Sequence, residues 1–148
     1  MQRPPIPRMA VLLGFGGLLP FAALAMAMWA AAPIHLPAIA LAQIAYGAAI
    51  LSFLGAVQWG AAIVRPQPES GRLIWSVIPS LIAWIGLLLP EVYGLGLLIL
   101  GMLACYGMDQ RAVAAGFLPL WYTSLRQPLT LLVCLLLALT LVRLALTL

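Results

Sequence analysis

Asp109, Arg111, Trp121, Tyr122 and Arg126 all fall within the stretch DQRAVAAGFLPLWYTSLRQPLT, residues 109–130, of a chain in which only 7% of residues are charged. A carboxylate and guanidinium groups in one short segment can pair with each other or present cations to a lipid headgroup, and adjacent Trp and Tyr suit headgroup depth. A second constellation, Gln58, Trp59, Trp75, Ser76 and Ser80, sits in apolar surroundings, where an amide or hydroxyl needs a hydrogen-bond partner. With Arg65 marking an interface seven residues further on, Gln58 lies roughly 10 Å deeper, at about 1.5 Å of rise per residue. These groups can join neighbouring spans by hydrogen bonds across helices; together with Gln43 they can alternatively line a polar path for a carrier.

The remaining reactive side chains are few. His35 is the only histidine, so neither bis-histidine haem ligation nor a histidine metal cluster can be assembled. Cys105 and Cys134 each lie in a long apolar run, where a thiol acts as a small hydrophobe. Glu91 follows Pro90 and marks a helix end. One His and three acids supply no nucleophile with a base beside it. We assign no catalytic, cofactor-binding or metal-binding residue; no cofactor is expected, and a non-enzyme is the favoured reading with an enzyme kept open.

The elements that must position these residues follow from composition. Hydrophobic residues make up 66% of the 148, against about 45–50% in soluble domains, whose charged fraction is about 25%. The chain is read as an all-α polytopic membrane protein forming a single transmembrane domain over residues 1–148. Its seven cationic residues are all Arg and are spread between apolar runs, which argues against a nucleic-acid partner. Five runs are long enough for a hydrocarbon core of about 30 Å. They cover residues 9–32, 38–64, 73–89, 92–108 and 129–148. The first is long for a signal peptide and is read as an anchor.

Charge is divided unequally among the connections. Arg3, Arg8, Arg65, Arg72, Arg111 and Arg126 fall on one side, whereas the other loops, PIHLP and Pro90-Glu91, hold no cation. The positive-inside rule then puts the N-terminus in the cytoplasm and the C-terminus outside. Arg143, near the outer end of the last span, can reach the headgroups by its long stem. Residues 112–122 form an apolar or small run too short to cross, so residues 109–128 are expected as an interfacial or re-entrant segment between the fourth and fifth spans. An Asp109–Arg126 pair would fold that segment back as a flap seated by Phe117, Trp121 and Tyr122.

Tyr46-Gly47, Leu54-Gly55 and Trp59-Gly60 in the second span are echoed by Tyr93-Gly94, Leu100-Gly101 and Tyr106-Gly107 in the fourth. A duplicated two-helix unit explains the echo; so does the general use of small residues where membrane helices touch.

ILSFLGAVQWG, IWSVIPSLIAW, YGLGLLILG leading to Asp109, and GFLPLWYTSLRQPLT together resemble one family: small five-span bacterial inner-membrane proteins of unknown function, with eukaryotic relatives that include a mitochondrial transmembrane protein. The resemblance implies architecture and location and supplies no activity. The matching positions are Ser52, Gly55, Trp59, Gly60, Trp75, Pro79, Asp109, Pro119, Trp121, Tyr122, Arg126 and Thr130. The resemblance implies a basic residue before the Trp-Gly pair in many relatives, where this chain has Gln58.

The functional expectation is an accessory, scaffold or assembly factor packing against membrane lipids, other membrane proteins or itself. A small carrier or channel ranks second and a lipid-acting enzyme third. Reporter domains fused to the two ends should report opposite sides of the membrane; reports from the same side would remove the topology.

Overall fold

The computed structural model describes residues 5–67 and 69–147; Arg3, part of the charge asymmetry, lies outside them. Backbone amides in lipid have no water to bond, so each span must close its hydrogen bonds within a helix. Five spans do so, and among the described residues there is no strand.

The first span is broken into α1 (Arg8–Gly16) and α2 (Leu18–Ala30). Pro20 is the cause: it has no N–H for the carbonyl of Gly16, and its ring crowds that carbonyl. The break is tied to the bundle by Tyr46, whose hydroxyl donates to the Gly17 carbonyl at 3.0 Å. The Tyr46 ring also meets Phe21 edge-on at 4.9 Å. A 3-10 turn at Pro33–His35 leads into α3 (Leu36–Ile63), followed by α4 (Ser70–Leu88), α5 (Glu91–Ala114) and α6 (Leu120–Ala145).

The expected spans are all present, with the largest change of boundary at residues 109–128. Asp109 lies inside α5 and Arg126 inside α6, so the expected interfacial segment contracts to the turn at 115–119. The reason is a helix stop that the apolar character of the stretch conceals. Gly116 takes φ 73°, its N–H bonds to the Val113 carbonyl at 3.0 Å, and the N–H of Phe117 bonds to the Ala112 carbonyl at 2.8 Å. This pair of bonds is a Schellman C-cap. Pro119 then stands at the N-cap of α6, and the chain reverses in a few residues.

Successive spans pack side by side and α6 closes against α2, while α3 also touches α5 and α6. Phe21, Met28, Ile44, Leu51, Leu98 and Leu137 form the middle of the core. Without a hydrophobic force between helices in lipid, close backbone approach through small residues carries much of the association. A Cβ on Gly55 would run into the Ser76 carbonyl of α4 and lie 3.3 Å from Pro79. One on Gly94 would lie 2.5 Å from the Gly86 carbonyl.

These contacts separate glycines that close an interface from glycines that merely occupy a helix. Gly55→Val should destabilise the α3–α4 pair by about 1–3 kcal/mol, the range for overpacked sites. Gly60→Ala, where a Cβ would meet nothing within 4 Å, should be neutral or slightly stabilising. Thermal unfolding of the two variants in the same detergent measures the difference.

Candidate functional site

Asp109 is the acid the bundle has to accommodate: it is 1% exposed and lies within the fourth span. A carboxylate in that setting must be matched by hydrogen bonds and an opposite charge. Both oxygens are matched from other helices. Oδ2 accepts from Nε of Arg126 on α6 at 2.7 Å, and Oδ1 accepts from Nε2 of Gln58 on α3 at 2.7 Å. The Gln58 amide passes the connection on, its Oε1 accepting from Nη1 of Arg72 on α4 at 2.8 Å. One chain of polar side chains therefore ties α4, α3, α5 and α6 together.

The exposed end of this chain is closed by an aromatic ring. The Arg72 guanidinium lies 3.7 Å from the Phe117 ring centre and that of Arg65 lies 4.5 Å from it. Arg65 also donates from Nη2 to the Gly116 carbonyl at 2.7 Å, which latches the end of α3 to the α5–α6 turn. Glu69 stands 3.8 Å from Nε of Arg72, but its side chain is largely exposed, so that pair adds little. The buried charges are thus two guanidinium groups against one carboxylate. Nη2 of Arg126, Nε of Arg72 and Oγ1 of Thr130 are buried without a hydrogen-bond partner.

The residues read from sequence divide accordingly. Asp109 and Arg126 are paired as expected, though inside the bundle; they do not hold a flap at its surface. Arg111 is exposed and donates to the Met108 sulfur at 3.9 Å, away from the pair. Trp121 and Tyr122 occupy the first turns of α6, half-buried, with their rings 6.0 Å apart. Of the second constellation only Gln58 joins the network. Ser76 is buried and donates back to the Leu73 carbonyl of its own helix at 2.6 Å. Trp75 is half-buried with Nε1 unpartnered, while Trp59 and Ser80 face outward. The outward positions follow from helical period: Trp59 is one residue from buried Gln58 and Ser80 one residue from buried Pro79, each about 100° round its helix from the inward side chain.

Two participants escaped sequence reasoning. Arg72 was read as a loop charge, although its spacing of four from Ser76 puts both on one face of α4. Thr140 was not singled out, yet its hydroxyl donates to Oε1 of Gln43 at 2.7 Å, and Gln43 Nε2 reaches the Leu136 carbonyl at 3.4 Å. Polar residues alone in apolar helices were the available signal. Among the described residues no group of three or more His, Cys, Asp or Glu is placed to hold a metal ion.

A family model described as a protein of unknown function (DUF3429) matches residues 6–142. The chain belongs to that family. Among the relatives of this DUF3429 protein is Transmembrane protein 69 of Xenopus tropicalis, 37% identical over 131 residues, which cover 84% of this chain and 50% of the relative. Transmembrane protein 69 of Mus musculus is 28% identical over 123 residues, covering 81% of this chain and 50% of its own length. The chain thus spans about half the length of these relatives. No solved structure matches it.

The network predicts a pattern of coupled stabilities. Asp109→Leu or Arg126→Met alone strands the other charge in the bundle and should destabilise it by about 3–5 kcal/mol. The double variant should recover most of that loss, because no buried charge is then left unmatched. Unfolding titrations of both single variants and the double variant give the coupling energy; additive losses would show that the two side chains act independently.

Proposed function

We propose that this DUF3429 protein is an accessory or scaffold protein of the bacterial inner membrane, acting through its contacts with lipids and neighbouring membrane proteins. The observation that carries the reading is how its interior polar groups are used. Gln58, Asp109, Arg126 and Arg72 bond one another at the arginine-bearing end, and Gln43 and Thr140 bond each other on a separate level. Fifteen residues of α3 separate the two glutamines, roughly 22 Å along the axis at about 1.5 Å per residue. The buried side chains of α3 between them include Leu51 and Leu54. A carrier site is expected at the midplane, with polar groups facing a cavity; here both glutamines are engaged by other side chains and the buried α3 residues between them are apolar or small.

What the bundle offers to its surroundings supports the same reading. Large apolar side chains such as Leu19, Phe53, Leu100 and Leu131 are more than half exposed on its outer face, a surface for lipid tails and other helices. The topology proposed with this reading keeps the arginine-bearing loops in the cytoplasm, in line with the positive-inside rule.

Reconstitution discriminates accessory from carrier. Proteoliposomes should show no flux of protons, potassium ions or small polar solutes above that of protein-free vesicles. A flux abolished by Gln58→Leu or Gln43→Leu would overturn the accessory reading in favour of the carrier.

A further inference from the structure

Arg143 stands apart from the polar network, in the last turn of α6, at the end of the bundle opposite the arginine-bearing loops. A cation there runs against the charge division that retains arginines on the other side. Its guanidinium lies 5.9 Å from the centre of the Trp29 ring, which belongs to the last turn of α2. Among the described residues it has no hydrogen bond, and neither ion pair involves it. The side chain is half-buried, and its donors are not closed off inside the bundle.

Trp29 also belongs to a shallow groove of about 650 Å³ between α2 and α6, within the volume range of ligand sites. Its other walls include Ala22, Ala25 and Met26 of α2 and Leu136 and Leu139 of α6. Alanine side chains leave the space that longer ones on this face of α2 would fill against α6. Seven residues separate Ala22 from Trp29, roughly 10 Å along the axis at about 1.5 Å per residue. The apolar groove therefore descends into the hydrocarbon from a Trp and an Arg at the helix ends, where both residue types suit headgroup depth. Cation and apolar walls are stacked in the order of a lipid's head and chain.

Charge selects the occupant. A guanidinium whose fork is free pairs best with phosphate or carboxylate, and a zwitterionic head already carries a cation beside its own phosphate. A second copy of this chain fits poorly. Two copies inserted in the same direction are related by an axis along the membrane normal, so a shared α2–α6 face would bring both Arg143 side chains to one depth. No acid lines that face to separate them. A hydrated ion is repelled by the apolar walls.

We propose that the α2–α6 groove holds one acyl chain of an anionic phospholipid, with the phosphate of its head set against Arg143 and beside Trp29. The proposal deepens the accessory reading by naming a lipid that the outer face selects, and rests on that reading. Lipid labelling and solute flux are measured separately, so failure of one is distinguishable from failure of the other.

The test uses the full chain in nanodiscs of phosphatidylcholine. Two photoreactive probes, phosphatidylglycerol and phosphatidylcholine carrying the same diazirine in one acyl chain, are compared, and mass spectrometry maps the labelled peptides. At segments 22–30 and 136–139, which line the groove, the phosphatidylglycerol probe should give about fivefold more label, the pull of one arginine on an anionic lipid. Arg143→Gln should abolish that preference there and leave labelling at the arginine-bearing end unchanged. Ala22→Phe fills the groove with Arg143 in place and should reduce labelling of both segments several-fold, a separate check on the chain even where Arg143→Gln fails to insert. Equal label from the two probes, a preference that survives Arg143→Gln, labelling unchanged by Ala22→Phe, or cross-links joining the α2 helices of two copies across this face would each overturn the proposal.

Discussion

A carboxylate inside a membrane bundle cannot be solvated by its surroundings, and much of the architecture at the arginine-bearing end answers that constraint. Asp109 needs partners for both oxygens, and its own helix offers none, since an α-helix has already used its backbone donors. Gln58 and Arg126 therefore reach in from α3 and α6. Gln58 in turn presents an amide oxygen that must be satisfied, and Arg72 satisfies it from α4. Each group requires the next, so the register of four helices is fixed at one level by hydrogen bonds that only one arrangement can make. Such a network specifies a structure more than it stabilises one, because desolvation offsets much of the attraction between the charges.

The turn between α5 and α6 is the second half of the same device. Asp109 lies less than two turns before the end of α5, and Arg126 lies less than two turns after the start of α6. They meet only because the connection is short. Gly116 in its left-handed conformation makes the reversal compact, Pro119 starts the next helix, and Arg65 fastens the turn through the Gly116 carbonyl. Phe117, facing two guanidinium groups, shields the network from the aqueous side. Cation–π contact of this kind gains strength as water is excluded.

The number of spans and the division of charge were legible in sequence because lipid imposes one simple rule, a helix of sufficient length, on every crossing. The Asp109–Arg126 pair was legible from economy of charge. Its depth was not, because the apolar run Ala112–Tyr122 reads equally as surface segment or as helix ends, and hydropathy does not distinguish them. Gly116 followed by Pro119 was the stop signal that does. Arg72 was hidden by the opposite effect: a cation at the edge of an apolar run reads as a boundary marker, whereas its long stem lets the head turn inward along the helix face. Trp59 and Ser80 were grouped with Gln58 by depth alone, and depth does not fix which way a side chain points.

The two polar levels also explain why the bundle is better suited to holding something than to passing it. Conduction requires polar groups that exchange partners with a passing solute, but Gln43 and Gln58 are each engaged with fixed side chains of other helices. Breaking either set would strand an amide or a charge in apolar surroundings, a cost of the order of 1–3 kcal/mol for an amide and more for a charge. Between them the core is close-packed by Leu51, Leu98, Met102 and Leu137, and Gly101 admits Leu51 so closely that a Cβ there would lie 2.7 Å from it. On the proposed accessory reading, recognition then falls to the outer face, where large apolar side chains such as Leu19, Phe53, Leu100 and Leu131 are exposed.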